Sequence, residues 1–223
     1  MNNASSSLAS VVATTFACND DIANIVAAKA RCHDYLARAT IVASGNPIDD
    51  LYIIVSGHAR MLAFSIDGRL VVIEDFHSGG IFGEGCLFAQ TATIDEVAAV
   101  DQVRAGTFPN VVFVGLMESY SAIALAISRL LIARLGATTR RLVEGSTLST
   151  IGRIHAELLR QARAGEEMTI RPAPVLATFA LTVQSTRESV SRAINALQKR
   201  GVIRRDDDGL TVVAPHRLEE LIY

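Results

Sequence analysis

The stretch Ser185-Thr186-Arg187-Glu188-Ser189-Val190-Ser191-Arg192-Ala193, continuing to Gly201, determines how this chain is interpreted. Its apolar residues recur at helical spacing and can be buried against neighbouring elements: Val190, Ala193, Ile194 and Leu197. Its polar residues fall on the opposite face: Arg187, Glu188, Ser191, Arg192 and Asn195. The pattern predicts an amphipathic helix over 186–200, and Gly201 is suited to its C-terminus.

The segments on either side of this helix complete a compact module. Amphipathic and short apolar patterns predict helices over 150–164 and 175–182, and Val183-Gln184-Ser185 forms the turn before 186–200. Two β-rich segments, 202–205 and 210–214, flank an Asp-Gly pair, which is a strong hairpin signal. Helix, tight turn, helix and hairpin together predict a winged helix-turn-helix.

The polar face of the predicted helix carries groups that can read base edges in a major groove. Arginine can donate two hydrogen bonds to guanine, glutamate can accept one from cytosine, and serine or arginine can bind phosphate. The sequence therefore predicts DNA binding. The predicted contacts are Ser185, Thr186, Arg187, Glu188, Ser191 and Arg192 on the helix, with Arg204 and Arg205 on the hairpin.

The same residues also fit purely structural roles. Ser185-x-x-Glu188 matches a capping box, which would turn Glu188 back onto the start of the helix. Glu188 and Arg192 have the spacing of a surface ion pair, which contributes about 0.3–0.5 kcal/mol. The two arginines of the hairpin stand next to the carboxylates of 206–208.

The N-terminal half has a different sequence pattern, which is mostly typical of β-strands. A helix is predicted over 20–37, capped by Asn19 or Asp20. Short β-rich segments then alternate with turn residues, which indicates an antiparallel sandwich or barrel such as a jelly roll. The predicted strands are 51–56, 59–65, 70–76, 97–100 and 103–108.

A long helix is predicted between the two halves, over 112–143, with Gly115 and Gly136 as local weak points. Apolar and small residues recur along it at spacings of three and four: Tyr120, Ala124, Ile127, Leu131, Leu135, Thr138 and Leu142. Such a narrow seam favours a parallel dimer helix. The alternative is a core helix lying across its own domain.

Composition excludes several classes of protein. The 223 residues are half apolar, with 21 Lys and Arg against 23 Asp and Glu, which argues against disorder. No uninterrupted apolar run approaches the roughly 18 residues of a membrane span. The segment 8–18 lacks a preceding basic residue, so a signal peptide is not expected. Three scattered cysteines form no disulfide framework, which favours the cytoplasm.

The segment 186–193 resembles the recognition-helix signature of the Crp/Fnr family of bacterial transcription regulators. Further landmarks of that family lie upstream in the same order: the segment 50–57, then Asp67-Gly68-Arg69, then Gly80-Ile81-Phe82-Gly83-Glu84. The resemblance implies a cyclic-nucleotide-binding-type β-roll, a dimerisation helix and a winged helix. The expected fold class is α+β, with domains 1–111, 112–145 and 146–223.

The resemblance also implies partners. A homodimer of this family binds and bends a pseudo-palindromic operator and contacts RNA polymerase, with no membrane involved. Arg187, Glu188 and Arg192 match the family's base-reading positions. Glu188-x-x-Ser191-Arg192 is similar to the branch that reads TTGA half-sites, whereas Arg187 is similar to the TGTGA-reading branch, so the operator stays open between them.

The N-terminal half, which the resemblance makes the sensor half, differs from the sensor domain of the cAMP-binding members of the family. Those members follow Gly-Glu, about ten residues on, with an Arg that pairs with the cyclic phosphate and a Ser or Thr. This chain has Gly83-Glu84. At the positions of the Arg and the following Ser or Thr, however, it has Thr93-Ile94 or Ile94-Asp95. Thr138 and Thr139 match the positions that meet the nucleobase. The sequence predicts a regulator not controlled by cAMP, with a cyclic-nucleotide pocket on these residues as the alternative.

The sequence contains no clear signature of a binding site for another cofactor. Cys18 and Cys32 do not form the cysteine cluster of an iron-sulfur site, and the histidines lack the spacing of a zinc site. His77 is one conceivable haem ligand, and Cys86 one conceivable redox switch, although no basic neighbour lowers its pKa. The effector is therefore unknown.

Two other classes of function are alternatives to a transcription regulator. A ligand-binding module could use the winged helix for protein contacts alone. An enzyme is not expected, because the sequence has no nucleophile elbow, no zinc-protease motif, no Walker motif and no Cys/His nucleophile pair.

Overall fold

The computed structural model describes residues 7–64, 70–88, 96–206 and 208–223. The chain divides into two compact units, Met1–Ala133 and Arg134–Tyr223. The landmark Asp67-Gly68-Arg69 and the segment 93–95 lie outside the described residues, as does Asp207 in the turn of the predicted wing.

The N-terminal unit begins with α1 (Leu8–Phe16) and α2 (Asp20–Ala27). Asn19 caps α2 by accepting a hydrogen bond from the Ile22 amide at 3.0 Å. The helix predicted over 20–37 is wrong beyond Ala27, because Arg31–Tyr35 forms strand β1 and pairs antiparallel with 103–107. Cys, His, Asp and Tyr in that segment are weak helix formers, so strand pairing prevails there.

Among the described residues of the N-terminal unit, eight antiparallel strands form two sheets. They are β1 (Arg31–Tyr35), β2 (Thr40–Val42), β3 (Asp50–Ser56), β4 (Ala59–Phe64), β5 (Leu70–Phe76), β6 (Ile81–Phe82), β7 (Glu96–Ala99) and β8 (Val103–Pro109). One sheet has the order β1-β8-β3-β6 and the other β2-β7-β4-β5. The five predicted strands are present with ends shifted by one residue at most, whereas the short strands β1, β2 and β6 were missed.

Successive side chains of β3 point to opposite faces of its sheet and so contribute to two different cores. Leu51, Ile53 and Val55 pack against the helices of the N-terminal unit. Ile54 faces the second sheet, where Phe76 and other buried residues fill the space between the sheets. The predicted fold class, an antiparallel β-roll followed by helices and a winged helix, is confirmed.

The single helix predicted over 112–143 is two helices, α3 (Asn110–Ser119) and α4 (Ser121–Thr147). The break is not at a glycine but at Tyr120, which has an extended backbone with φ of −130° and ψ of 100°. The break lets both helices bury apolar side chains in one core: Phe113, Leu116, Ile123 and Ile127.

The hydropathy of helix α4 bears on the expectation about membrane spans. Its 27 residues include an 18-residue window with a mean hydropathy of 1.4, of which 11% is buried. By length and composition alone, such a helix is apolar enough to cross a bilayer. One helix of this kind is weak evidence, since helices of soluble proteins pass the same test.

The C-terminal unit is a small helical domain with a three-stranded sheet of order β10-β11-β9. Its elements are α5 (Thr150–Ala164), β9 (Thr169–Ile170), α6 (Leu176–Thr182), α7 (Arg187–Lys199), β10 (Ile203–Arg205), β11 (Leu210–Val212) and α8 (Pro215–Glu220). Helix α5 has the predicted bounds, whereas β9 and α8 were not predicted. Ile154, Leu158, Phe179, Ile194 and Leu218 are among the residues of its core.

Candidate nucleic-acid interface

The turn between α6 and α7 is short and tightly bonded. Gln184 adopts a left-handed backbone with φ of 52°, and the Ser185 amide donates to the Ala180 carbonyl at 2.8 Å. Arg153 of α5 donates from Nε to the Val183 carbonyl at 3.2 Å, so a side chain from the helix beneath also holds the turn. These bonds fix where α7 begins.

The capping box considered for Ser185 and Glu188 is wrong. Thr186 is the N-cap residue, and its hydroxyl accepts from the Ser189 amide at 3.2 Å. The Ser185 hydroxyl is buried and has no hydrogen-bond partner among the described residues. Ser185 is thus not the capping residue, and the side chain of Glu188 remains at the surface.

Helix α7 is buried on one side and open on the other. Val190, Ile194 and Leu197 are at most 1% exposed. The charged residues of the polar face are exposed, Ser191 is half-buried, and Asn195 extends the exposed face by one turn. The predicted direction of the two faces is therefore observed.

The carboxylate of Glu188 is held in its ionised form. Hydrogen bonds from its own backbone amide and from the Thr186 hydroxyl lower its pKa, and the nearby charges of Arg187 and Arg192 act in the same direction. The side-chain pair Glu188–Arg192 does not reach ion-pair distance among the described residues, and Arg192 donates instead to the Ser189 hydroxyl at 3.3 Å. Glu188 can therefore accept a hydrogen bond from an external donor.

The wing presents two arginines. Arg204 and Arg205 are exposed on β10, which pairs with β11. Asp206 is engaged within the turn, where its Oδ1 accepts from the Gly209 amide at 2.6 Å, and its Oδ2 lies 3.7 Å from Arg171. In the part of the chain that the structure describes, no carboxylate pairs with the two arginines, so they are free to contact phosphate.

Two buried polar residues of α5 were not predicted from the sequence, namely His155 and Glu157. His155 is 6% exposed, and its Nδ1 donates to the Leu221 carbonyl at 2.9 Å. Glu157 is also 6% exposed and accepts from Arg160 and from Gln161. Because these residues follow the polar pattern of an amphipathic helix, the sequence gives no signal that distinguishes them from surface residues.

His155 makes the stability of the C-terminal unit depend on pH. Burial holds the pKa of its ring below the ordinary value of 6.5, although the bond to Leu221 opposes this. The unfolded chain therefore takes up a proton more readily than the folded chain. We expect stability to be complete above pH about 6.5 and to fall as the pH decreases through the lowered pKa.

Urea unfolding followed by circular dichroism at pH about 7.5 and about 5.5 measures this effect. A His155→Gln variant, whose amide can still donate to the Leu221 carbonyl, should lose less stability on acidification than the parent chain. An identical pH dependence in the two proteins would assign the effect to other groups.

The residues considered for a nucleotide lie at a turn in the N-terminal unit and in α4. Gly83 has φ of 84°, and a Cβ there would lie 2.5 Å from the Asp50 carbonyl oxygen, so glycine is required. Glu84 follows at the start of a 3-10 turn, Glu84–Phe88. In α4, Thr138 and Thr139 are both exposed.

Cys86 and His77 were the two residues considered for a sensing role. Burial, followed by the charges of Asp50, Asp49 and Glu84, raises the pKa of the Cys86 thiol to about 11, so it stays protonated and unreactive. His77 is exposed and stacks on His58, with ring centroids 4.4 Å apart. Among the described residues, no group of three His, Cys, Asp or Glu side chains is placed to hold a metal ion.

Comparison with known proteins finds that two segments of the chain match family models of known domains. Residues 32–120 match the family model of the cyclic nucleotide-binding domain, and residues 152–221 match that of the Crp-like helix-turn-helix domain. The second match spans α5 to α8, and thus includes the turn, the exposed helix face and the wing.

Similar proteins cover most of the chain. The cAMP-activated global transcriptional regulator Vfr of Pseudomonas aeruginosa is 27% identical over 184 residues, which are 78% of this chain and 86% of that protein. FixK2 from Bradyrhizobium japonicum has a TM-score of 0.72 at 17% identity and covers 86% of this chain and 96% of its own. The c-di-GMP responsive global regulator CLP of Xanthomonas campestris has a TM-score of 0.73 at 21% identity, with coverage of 87% and 99%.

Proposed function

Since the chain belongs to the Crp/Fnr family of transcription regulators, we propose that it is a homodimer that binds a pseudo-palindromic operator with α7 in the major groove. One observation carries this proposal: three charged side chains, Arg187, Glu188 and Arg192, are exposed on a helix whose opposite face is buried. Ser191 reaches the same groove, whereas Thr186, Arg204 and Arg205 contact phosphate. Ser185 contacts DNA only if its buried hydroxyl becomes accessible.

Dimerisation is assigned to an exposed apolar face of α4. Leu125 and Ile132 are seven residues apart, as are Leu135 and Leu142, and all four are exposed. Together they give the a and d positions of a heptad pattern. This face replaces part of the seam expected from the sequence, because Ile127 is 1% exposed and packs inside its own chain. Among the residues of the predicted seam, Leu135 and Leu142 also belong to this face.

The two-fold axis of such a dimer sets the geometry of the operator. Two copies of α7 read half-sites about one helical turn apart, roughly 34 Å. The half-site combines features of the TTGA and TGTGA types, because Arg187, Glu188 and Arg192 are all present and exposed.

We infer that cAMP is not the effector. An anionic phosphate buried without a cationic partner is unfavourable, and the sequence places Thr93, Ile94 and Asp95 where relatives carry the Arg pair. The alternative is a cyclic-nucleotide site at Gly83 and Glu84, which lie inside the matched cyclic nucleotide-binding domain. Thr138 and Thr139, the other two residues of this alternative, lie outside the matched residues.

Calorimetric titration of the full chain with cAMP, and separately with cGMP, distinguishes the two. We expect no binding in the micromolar range from either nucleotide. Saturable micromolar binding of one nucleotide, lost in Glu84→Ala, would establish the pocket instead.

The remaining assignments follow from the family. We place the protein in the cytoplasm, where it contacts RNA polymerase at its promoters, and assign it no catalytic activity. The segments 1–111, 112–145 and 146–223 serve as sensor, dimerisation helix and DNA-binding domain. The apolar surface of α4 is attributed to the dimer rather than to a membrane.

Selection of binding sites from random double-stranded DNA tests the proposal as a whole. We expect the purified protein to enrich a pseudo-palindrome with half-sites one helical turn apart. If no palindrome is enriched, the chain is a ligand-binding module whose winged helix contacts proteins.

A further inference from the structure

A groove of about 520 Å³ lies within the C-terminal unit, between the first turns of α5 and one face of α7. This volume is in the range of small-molecule sites in proteins. Ile151 and His155 line it from α5, and Arg192, Ala196, Leu197 and Arg200 line it from α7. None of the residues considered for a nucleotide lines the groove.

Most of the groove surface is apolar, although Thr150, His155 and Ser189 add polar groups to it. Leu197 and His155 form part of the floor and are 1% and 6% exposed. Ile151 is 56% exposed although it is a large apolar side chain, and Ala196 faces solvent on the α7 side. A ligand with an apolar body would remove this surface from water, which favours binding.

The rim of the groove is cationic. Arg192 of α7 and Arg200, the residue that follows the last turn of α7, both line the groove, about 12 Å apart along the helix axis. The Arg192 guanidinium already donates to Ser189. In the described ranges of the chain, Arg200 has no carboxylate within ion-pair distance, so its planar guanidinium can bind a carboxylate with two parallel hydrogen bonds.

We propose that this groove binds a small aliphatic carboxylate. The carboxylate pairs with Arg200, and the alkyl chain lies between Ile151 and Ala196 over Leu197. Both parts of the ligand are needed, because inorganic phosphate would leave the apolar walls exposed and a neutral alcohol would leave the guanidinium without an anion. The proposal concerns the ligand alone and holds whether or not the chain binds DNA.

Calorimetric titration of the full chain with decanoate, below its micelle concentration, tests the site. We expect saturable binding of one decanoate per chain, at least about tenfold tighter than that of decanol or inorganic phosphate. Arg200→Gln should weaken decanoate binding about tenfold or more, which corresponds to about 1.4 kcal/mol. Ala196→Trp, which fills the groove from a solvent-facing position, should abolish it.

Lys199→Gln is the matched control, because it removes one positive charge from the neighbouring residue, which does not line the groove. It should leave decanoate binding unchanged. Circular dichroism establishes that each variant is folded before it is titrated. Equal binding of decanoate and phosphate would reveal an anion site only, and binding that survives Ala196→Trp would place decanoate elsewhere; either result overturns the proposal.

Discussion

Replacing Arg187 with alanine is expected to weaken binding to the selected operator by about five- to 150-fold. This range corresponds to the 1–3 kcal/mol of a bidentate contact between a side chain and a base. Arg187 is exposed in the first turn of α7. The helix is anchored independently by the Thr186 cap and by its buried face, so the substitution should leave the fold intact.

Two features separate a base contact from general charge attraction. Arg187→Ala and Glu188→Ala should both relax the preference for particular bases, although they change the net charge in opposite directions. Lys199→Ala, at the other end of α7, removes the same charge as Arg187→Ala. It should weaken specific and non-specific binding about equally. Gel shifts with the operator and with a scrambled duplex, at a fixed salt concentration, measure the ratio of the specific to the non-specific affinity.

An unchanged ratio for both Arg187→Ala and Glu188→Ala would show that other residues read the operator. A reduced ratio in Lys199→Ala as well would show that the selectivity depends on charge alone. The assignment of α7 as the reading helix requires both that the first two variants lose selectivity and that the third keeps it.

Local patterns were sufficient to predict most of the C-terminal unit. The bounds of α5, the turn at Gln184 and the two faces of α7 follow from hydrophobic spacing over consecutive residues. The capping residue was misplaced by one position, since Ser185 and Thr186 are both good caps and only the backbone bond from Ser185 to Ala180 decides between them.

Elements that depend on distant contacts were not predictable in the same way. Strand β1 exists because Arg31–Tyr35 pairs with β8, about seventy residues later in the chain. The break at Tyr120 reflects two helices that bury Phe113 and Ile123 in the same core. No pattern of spacing within either segment contains that information.

The residues of the candidate site divide in the same way into those that local patterns predict and those that depend on distant contacts. The exposed charges of α7 could be read from the sequence, because an exposed face needs no partner to be recognised. Arg153 and His155 could not, since each is defined by a backbone carbonyl that it meets, Val183 and Leu221 respectively. The groove beside α7 likewise depends on how α5 packs.

The second large effect is expected from Ile132→Asp on the exposed face of α4. Ile132 is 70% exposed in the single chain and occupies the middle of the proposed seam. In a symmetric dimer the substitution places two carboxylates near each other in an apolar interface, where desolvation alone is unfavourable by several kcal/mol per ion. We expect the dissociation constant of the dimer to rise at least about 100-fold, or about 2.7 kcal/mol.

Ala133→Asp provides the matched control. It introduces the same carboxylate one residue later, at a position that is also exposed but turned about 100° away from the seam. Analytical ultracentrifugation should find a dimer for Ala133→Asp and a monomer for Ile132→Asp at the same concentration. Because a monomer can engage only one half-site, Ile132→Asp should also lose the operator while its α7 is unchanged. A dimeric Ile132→Asp protein would show that α4 does not form the interface, and the two copies of α7 would then need another arrangement to reach a palindrome.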